Sequence, residues 1–253
     1  MINTAVILAS GLGTRLQERL KGKPKFLLEI YGRPIIAYPI SMLSKVGIKN
    51  FIVTIPEGWL KAFNEKIQST YPNLNFTLIE NREINRGNGY SFYLTHDYVE
   101  DEVFILSMCD HIYTANLVKT LISNINWIND AIVLIAGDSN PKYINVDEAT
   151  KIQVNKEDYL MKIGKNIGSF KYIDAGVFII KKRLFEVASK LVDEKELIEF
   201  STILNSAVKL RYNVKVIDIN PTPWTEIDTL SDLEEALYGD RNQVIKKVLN
   251  YFI

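Results

Sequence analysis

Short apolar runs rich in Val and Ile alternate with longer segments of helical period, and this alternation limits the folds open to the chain. Thr4–Ala9 reads as a buried strand and leads into a glycine-rich turn, Ser10–Thr14. Pro34–Val46 is predicted as a helix that Gly47 stops, followed by a strand at Asn50–Ile55 and a helix at Trp59–Ser69. Phe76–Ile79 is a third strand, Asn88–Asp97 a helix and Val103–Ser107 a fourth strand. Ala115–Ile125 and Ala131–Ile135 repeat the helix–strand pairing. Such alternation argues for an α/β fold: a Rossmann-like, mostly parallel mixed sheet flanked by helices, with ligands beyond the carboxyl ends of the strands.

The rhythm changes after about Gly137. Lys151–Val154, Tyr159–Ile163 and Ile173–Ile180 read as short strands with tight connections, the pattern of a small mixed-sheet substrate lobe. Helices follow at Leu184–Leu191 and Leu197–Ala207, a strand at Val214–Ile219, and helices at Ser231–Leu237 and Gln243–Leu249. Ser231 with Glu234 three residues later reads as a capping box. The expected organisation is one domain over 1–253, with a nucleotide-binding half to about 137, an acceptor-binding lobe over about 138–230 and C-terminal helices over 231–253.

Composition narrows the function classes. Lys plus Arg and Asp plus Glu each total 30. With no basic excess, nucleic acid is not an expected partner. The single cysteine, Cys109, leaves no intramolecular disulfide and fits a reducing compartment. The N-terminus lacks a basic n-region, and runs such as Ala131–Ala136 fall far short of the roughly 20 residues of a membrane helix. A cytoplasmic protein without direct membrane insertion is expected.

Three segments carry candidate chemistry. In Leu8-Ala9-Ser10-Gly11-Leu12-Gly13-Thr14-Arg15, the glycines let a ligand approach the backbone, whose successive amides can cradle phosphate oxygens. Arg15 and Lys25 supply cations that can neutralise a triphosphate; the plain alternative is a glycine turn with surface cations. A dinucleotide-binding turn would want glycine where Leu16 stands, and no Gly-Lys-Ser/Thr follows for a Walker loop.

Asp110 follows an apolar strand at its carboxyl end, and Glu226 and Asp228 lie two apart in Trp224-Thr225-Glu226-Ile227-Asp228-Thr229. Asp110 and Asp228 together can hold Mg²⁺ against phosphates, since that ion takes few protein ligands. The alternative is that Asp228 only caps the following helix. In Arg86-Gly87-Asn88-Gly89-Tyr90-Ser91, glycines around an asparagine can admit a flat base, or can simply form a helix entry. Cys109 and His111 flank Asp110, but without a second Cys or a paired His spacing they point to a buried strand end rather than a zinc or thiol site. His96 reads as an ordinary helix residue.

The glycine-rich start, with Pro24-Lys25-Phe26-Leu27, resembles the signature of the sugar-phosphate nucleotidyltransferases. The resemblance runs on through Cys109-Asp110-His111, Lys162-Ile163-Gly164-Lys165, Asp174-Ala175-Gly176 and Trp224–Thr229, from about Ala5 to Ala236. Within that superfamily, Arg86–Ser91, Asp110-His111-Ile112-Tyr113, Asp147-Glu148-Ala149-Thr150-Lys151-Ile152 and Lys162–Lys165 look like the archaeal CTP:inositol-1-phosphate cytidylyltransferases.

The resemblance implies the nucleotidyltransferase fold and condensation of CTP with inositol 1-phosphate to CDP-inositol and pyrophosphate, with Mg²⁺ as cofactor. It implies Asp110 and Asp228 as metal carboxylates, and Arg15 and Lys25 as catalytic cations. Leu8, Ala9, Ser10, Gly11, Gly13, Thr14, Asn88, Gly89 and Ser91 fall on the nucleotide side. Lys162 or Lys165, with Asp174 and Gly176, falls on the acceptor side.

Three departures stand out: Ser10 replaces the Ala of many relatives, Cys109 a Gly, and Thr225-Glu226 a Met-Asp pair. Several relatives are fused to a membrane-embedded alcohol phosphotransferase, so a separate membrane CDP-alcohol phosphotransferase is the expected downstream partner. A homodimer is compatible with the chain. A sugar-1-phosphate nucleotidylyltransferase using UTP or dTTP, a phosphocholine cytidylyltransferase and a catalytically silent homologue are the competing readings.

Overall fold

The residues of β1 (Thr4–Leu8) alternate between two hydrophobic cores: Ala5 and Ile7 point into one, Val6 and Leu8 into the other. A strand buried on both faces must lie inside a sheet covered on both sides. In the computed structural model, which describes residues 2–252, that is where it lies.

After β1 come the glycine turn, α1 (Gln17–Leu20) and a small hairpin of β2 (Glu29–Ile30) and β3 (Arg33–Pro34). The chain continues through α2 (Ala37–Lys45), β4 (Asn50–Pro56), α3 (Leu60–Lys66), β5 (Asn75–Asn81), α4 (Asn88–Tyr93) and β6 (Val103–Met108). Next are β7 (His111–Tyr113), α5 (Ala115–Ser123), β8 (Val133–Asp138), β9 (Lys151–Val154), β10 (Leu160–Gly164) and β11 (Tyr172–Lys181). The remainder is α6 (Leu184–Glu194), α7 (Phe200–Lys209), β12 (Val214–Asp218), β13 (Trp224–Glu226), α8 (Leu230–Tyr238) and α9 (Asn242–Leu249).

Nine of the described strands form one sheet, in the order β10-β9-β11-β6-β1-β4-β5, with β8 beside β11 and β12 beside β8. The run β6-β1-β4-β5 is parallel, and β11 enters antiparallel to β6 and β8. The later short strands therefore extend the main sheet. One core packs α2, α5 and α9 against it; the other packs α4, α6 and α7, around the stacked rings of Phe92, Phe104 and Phe185.

Two features aim residues at the open end of the strands. The register of β11 against β8 shifts between Asp174 and Phe178, a bulge that contains Gly176 at φ 69°. Separately, β7 and β13 form a two-stranded ribbon in which Glu226 pairs with His111.

Local differences from the sequence expectations have physical causes. The helix expected from Pro34 begins at Ala37, because Arg33 and Pro34 close the hairpin across the left-handed turn Tyr31-Gly32. The capping box of α8 is Thr229 with Asp232, not Ser231 with Glu234. The helix expected over Asn88–Asp97 ends at Tyr93, so His96 sits in the turn after it, with Nδ1 at 2.9 Å from the Tyr93 carbonyl.

Candidate active site

Two clefts meet at the carboxyl ends of β1 and β6. One, of about 320 Å³, is lined on one side by Leu8, Ser10, Gly11, Gly13, Thr14, Arg15 and Lys25 and on the other by Asn88 and Ser91. The second, of about 490 Å³, is lined by Glu148, Thr150, Lys165, Asp174, Gly176 and Glu199. Asn88, Met108, Asp110 and Asp228 line both.

At the junction, the buried Lys25 ammonium pairs with Asp110 Oδ2 and with Asp228 Oδ1. Burial alone would lower the Lys25 pKa, but the Asp110 and Asp228 carboxylates outweigh it and raise it above its ordinary value. Asp110 is correspondingly held well below the usual carboxylate range: burial would raise it, and Lys25 and His111 overcome that. The second oxygen of each carboxylate is also engaged. Asp110 Oδ1 accepts from His111 Nδ1 at 2.8 Å, and Asp228 Oδ2 from Arg15 Nη2 at 3.0 Å. The other arm of Arg15 reaches Glu148 at 3.0 Å, across the mouth between the clefts.

His111 is held on all sides. Its Nε2 lies 3.3 Å from Glu226, its ring stacks parallel on Trp224, and Trp224 Nε1 donates to Asp138. Burial would lower the imidazole pKa, but the Asp110 bond and charge, then Glu226 and Asp174, raise it to about 9. Burial lifts Glu226 to about 7 and Asp174 to about 6. Any Cβ at Gly176 would lie 2.5 Å from the His111 ring, so both the left-handed backbone and the close approach require glycine there. Cys109 is buried and its thiol is pushed up by burial, which leaves it inert.

The two carboxylates converge on a single cation, and both are oxygen donors. That chemistry and convergence fit Mg²⁺, which would take Asp110 and Asp228 and fill its remaining positions from phosphates and water. Asp228 is not the helix cap; Thr229 is.

Most of the residues expected from the sequence gather here. Ala9 is the exception among the leading run, packed in the core with its amide donating to Thr54. Gly89 has a packing reason of its own: its amide donates to the Ile198 carbonyl, which would lie 2.7 Å from any added Cβ. Asn88 Oδ1 accepts from the Phe200 amide, and Ser91 Oγ accepts from Asn81. Of the two lysines left open, Lys165 lines the larger cleft, whereas Lys162 is exposed on β10 outside that lining. Sequence reading gave no role to Glu148, Thr150, Glu199 or His111. Glu148 sits in a run quoted for the resemblance, but its meeting with Arg15, 133 positions away, leaves no local mark.

Residues 5–209 match the MobA-like NTP transferase domain. Over its whole length the chain is 32% identical to a protein of Aquifex aeolicus named bifunctional IPC transferase and DIPP synthase, covering 55% of it. It is 33% identical over 92% of its length to the Thermococcus kodakarensis protein of the same name, covering 49%. The chain thus spans about half the length of these curated relatives. Among solved structures, the inositol-1-phosphate CTP transferase of T. maritima superposes with a TM-score of 0.88 at 29% identity, over 98% of this chain and 96% of that one. A UDP-glucose pyrophosphorylase, at 16% identity and a TM-score of 0.78, shares the fold. No helix among the described residues is long and apolar enough to cross a membrane. The match over residues 5–209, on a sheet that brings the glycine turn to two facing carboxylates, places this chain in the MobA-like NTP transferase family.

Proposed function

We propose that the chain is a CTP:inositol-1-phosphate cytidylyltransferase, joining CTP to inositol 1-phosphate with release of pyrophosphate. The observation that carries the reading is the shared wall: Asp110 and Asp228 stand between a glycine- and cation-lined cleft and a carboxylate-lined one. Two polyanionic substrates entering from opposite sides would meet there. The names of the Aquifex, Thermococcus and T. maritima relatives support the substrate pair.

In this reading residues to about 137 hold the nucleotide and about 138–230 hold the acceptor. The glycine turn and Arg15 take the triphosphate, Arg15 exchanging Glu148 and Asp228 for phosphate oxygens. Lys25 stays fixed by the two carboxylates and steadies the α-phosphate. Lys165 takes the acceptor's phosphate, while Asp174 and Glu199 read its hydroxyls. One oxygen of that phosphate attacks the α-phosphorus in line, the bond to the β-phosphate oxygen breaks, and pyrophosphate leaves with the electron pair. A phosphate monoester dianion is already nucleophilic near neutral pH, so no general base is needed; positioning and charge neutralisation do the catalysis. Mg²⁺ held by Asp110 and Asp228 would supply further neutralisation at the α-phosphate. A membrane CDP-alcohol phosphotransferase would consume the product.

Among the described residues, Phe200 is the one Phe, Tyr or Trp in the larger cleft's lining, too few for an aromatic cage around choline. The test is pyrophosphate release with Mg²⁺, each of four nucleoside triphosphates, and inositol 1-phosphate, glucose 1-phosphate, mannose 1-phosphate or phosphocholine. Release with CTP and inositol 1-phosphate alone is expected; turnover with a different pair replaces the substrate assignment.

A further inference from the structure

Asp228 lies outside the matched span of 5–209; its segment is paired to β7 and Asp110, and further bonds to it come from the C-terminal helices. Asp232, in the first turn of α8, uses both carboxylate oxygens. Its Oδ2 accepts the backbone N–H of Asp228 at 2.9 Å and that of Thr229 at 2.8 Å. Its Oδ1 pairs with Arg241 Nη1 at 2.7 Å. Arg241 sits just before α9, and the same nitrogen donates to the Glu226 carbonyl at 2.9 Å. The chain is therefore gripped on both sides of Ile227, at the carbonyl two residues before Asp228 and at the Asp228 amide itself.

The pair is almost wholly enclosed, with side-chain exposures of 9% and 11%, and neither residue lines either cleft. Burying two charges is a poor way to gain stability, since apolar replacements are often no worse. What an apolar pair cannot do is give directional bonds to backbone groups. A planar guanidinium and a carboxylate can, and they fix where the intervening side chain points.

We propose that Arg241 and Asp232 are positioning residues for the Asp228 carboxylate: they lock the Glu226–Asp228 backbone so that Asp228 and Asp110 face one divalent cation. This rests on the reading of Asp110 and Asp228 as metal carboxylates. The ion-paired arginine is the functional device; the capping of α8, shared by Thr229 and Asp232, needs no arginine.

The test is binding of Mn²⁺ in the presence of CTP, followed by the free-ion electron paramagnetic resonance signal, alongside the Mg²⁺ dependence of turnover. The proteins are wild type, Arg241→Lys, Asp232→Asn and a stability control, Val187→Ala, in the core on the opposite sheet face. Each is assayed below its thermal midpoint. Both positioning variants are expected to weaken Mn²⁺ about tenfold and to raise the Mg²⁺ half-saturation in parallel, with the KM for CTP at saturating metal nearly unchanged. Val187→Ala is expected to lose thermal stability and keep wild-type metal affinity. Loss of stability in Arg241→Lys and Asp232→Asn with unaltered Mn²⁺ affinity overturns the proposal. Should either fold too poorly to titrate, the Mn²⁺-induced rise in its thermal midpoint decides: a rise equal to that of Val187→Ala overturns it. Wild type that binds no Mn²⁺ overturns the metal reading itself, a result the variants cannot mimic.

Discussion

The glycine turn and the Asp228 segment face each other across the same cleft and are built in opposite ways. Around Gly11 nothing comes within 4 Å of where a Cβ would stand, and Arg15 keeps 49% of its side chain exposed, tethered by ion pairs alone. The Asp228 segment is paired to β7, packed by Trp224 and bonded to the buried Arg241 and Asp232. The difference separates two tasks. In the function proposed above, a group that would release its partners to admit a polyanion is held loosely, whereas a carboxylate that would keep its aim on a cation is held through its backbone.

The largest effect should come from the rigid side. Asp228→Asn is expected to lower kcat/KM about 100-fold or more while the thermal midpoint changes little; full activity in steady-state assays would break the metal role. On the loose side, Arg15→Ala should raise the KM for CTP roughly tenfold, as loss of one charge-assisted contact does, and should flatten its salt dependence. An unchanged KM would show that Arg15 stays with Glu148 when nucleotide binds.

The contrast can be sharpened with paired glycine substitutions. Gly176→Ala, strained at φ 69° and pressed on His111, should cost about 1–3 kcal/mol in denaturant unfolding. Gly11→Ala, in open space, should cost within about 0.5 kcal/mol and act on nucleotide binding instead. Equal costs would erase the distinction between the two walls.

A further effect concerns pH. Burial raises Asp174 from 3.8 to about 6, so the native state holds that proton more tightly than the unfolded chain. Its contribution to stability is therefore present at low pH and is lost as pH rises through about 6. Asp174→Asn should remove that decline, a difference on the order of 1 kcal/mol between pH 4 and 7 after discounting for partial exposure. Parallel stability curves for the two proteins would contradict it.

What could be read in advance follows the same division. The strand runs, the glycine turn, Lys25, Asp110 and Asp228 announce themselves locally, through alternation, punctuation or position at a strand end. The rigid wall does not. β7 and β13 are three residues each, too short for a periodic signal, and pair across nearly half the chain's length. The α8 entry expected at Ser231–Glu234 lies instead at Thr229–Asp232, because Asp232 also bonds the Asp228 amide and Arg241, contacts that leave no mark in the local sequence. Gly176 enters the sequence reading only through the family resemblance; its physical reason, the His111 ring, comes from the bulge in β11.

Lys25 has one more consequence, for how the protein matures. Its ammonium cancels the repulsion between Asp110 and Asp228 from within the chain, so the acidic wall can assemble during folding without waiting for an ion from the medium. In the function proposed above, a divalent ion would then add activity to a site already folded, rather than being needed to build it.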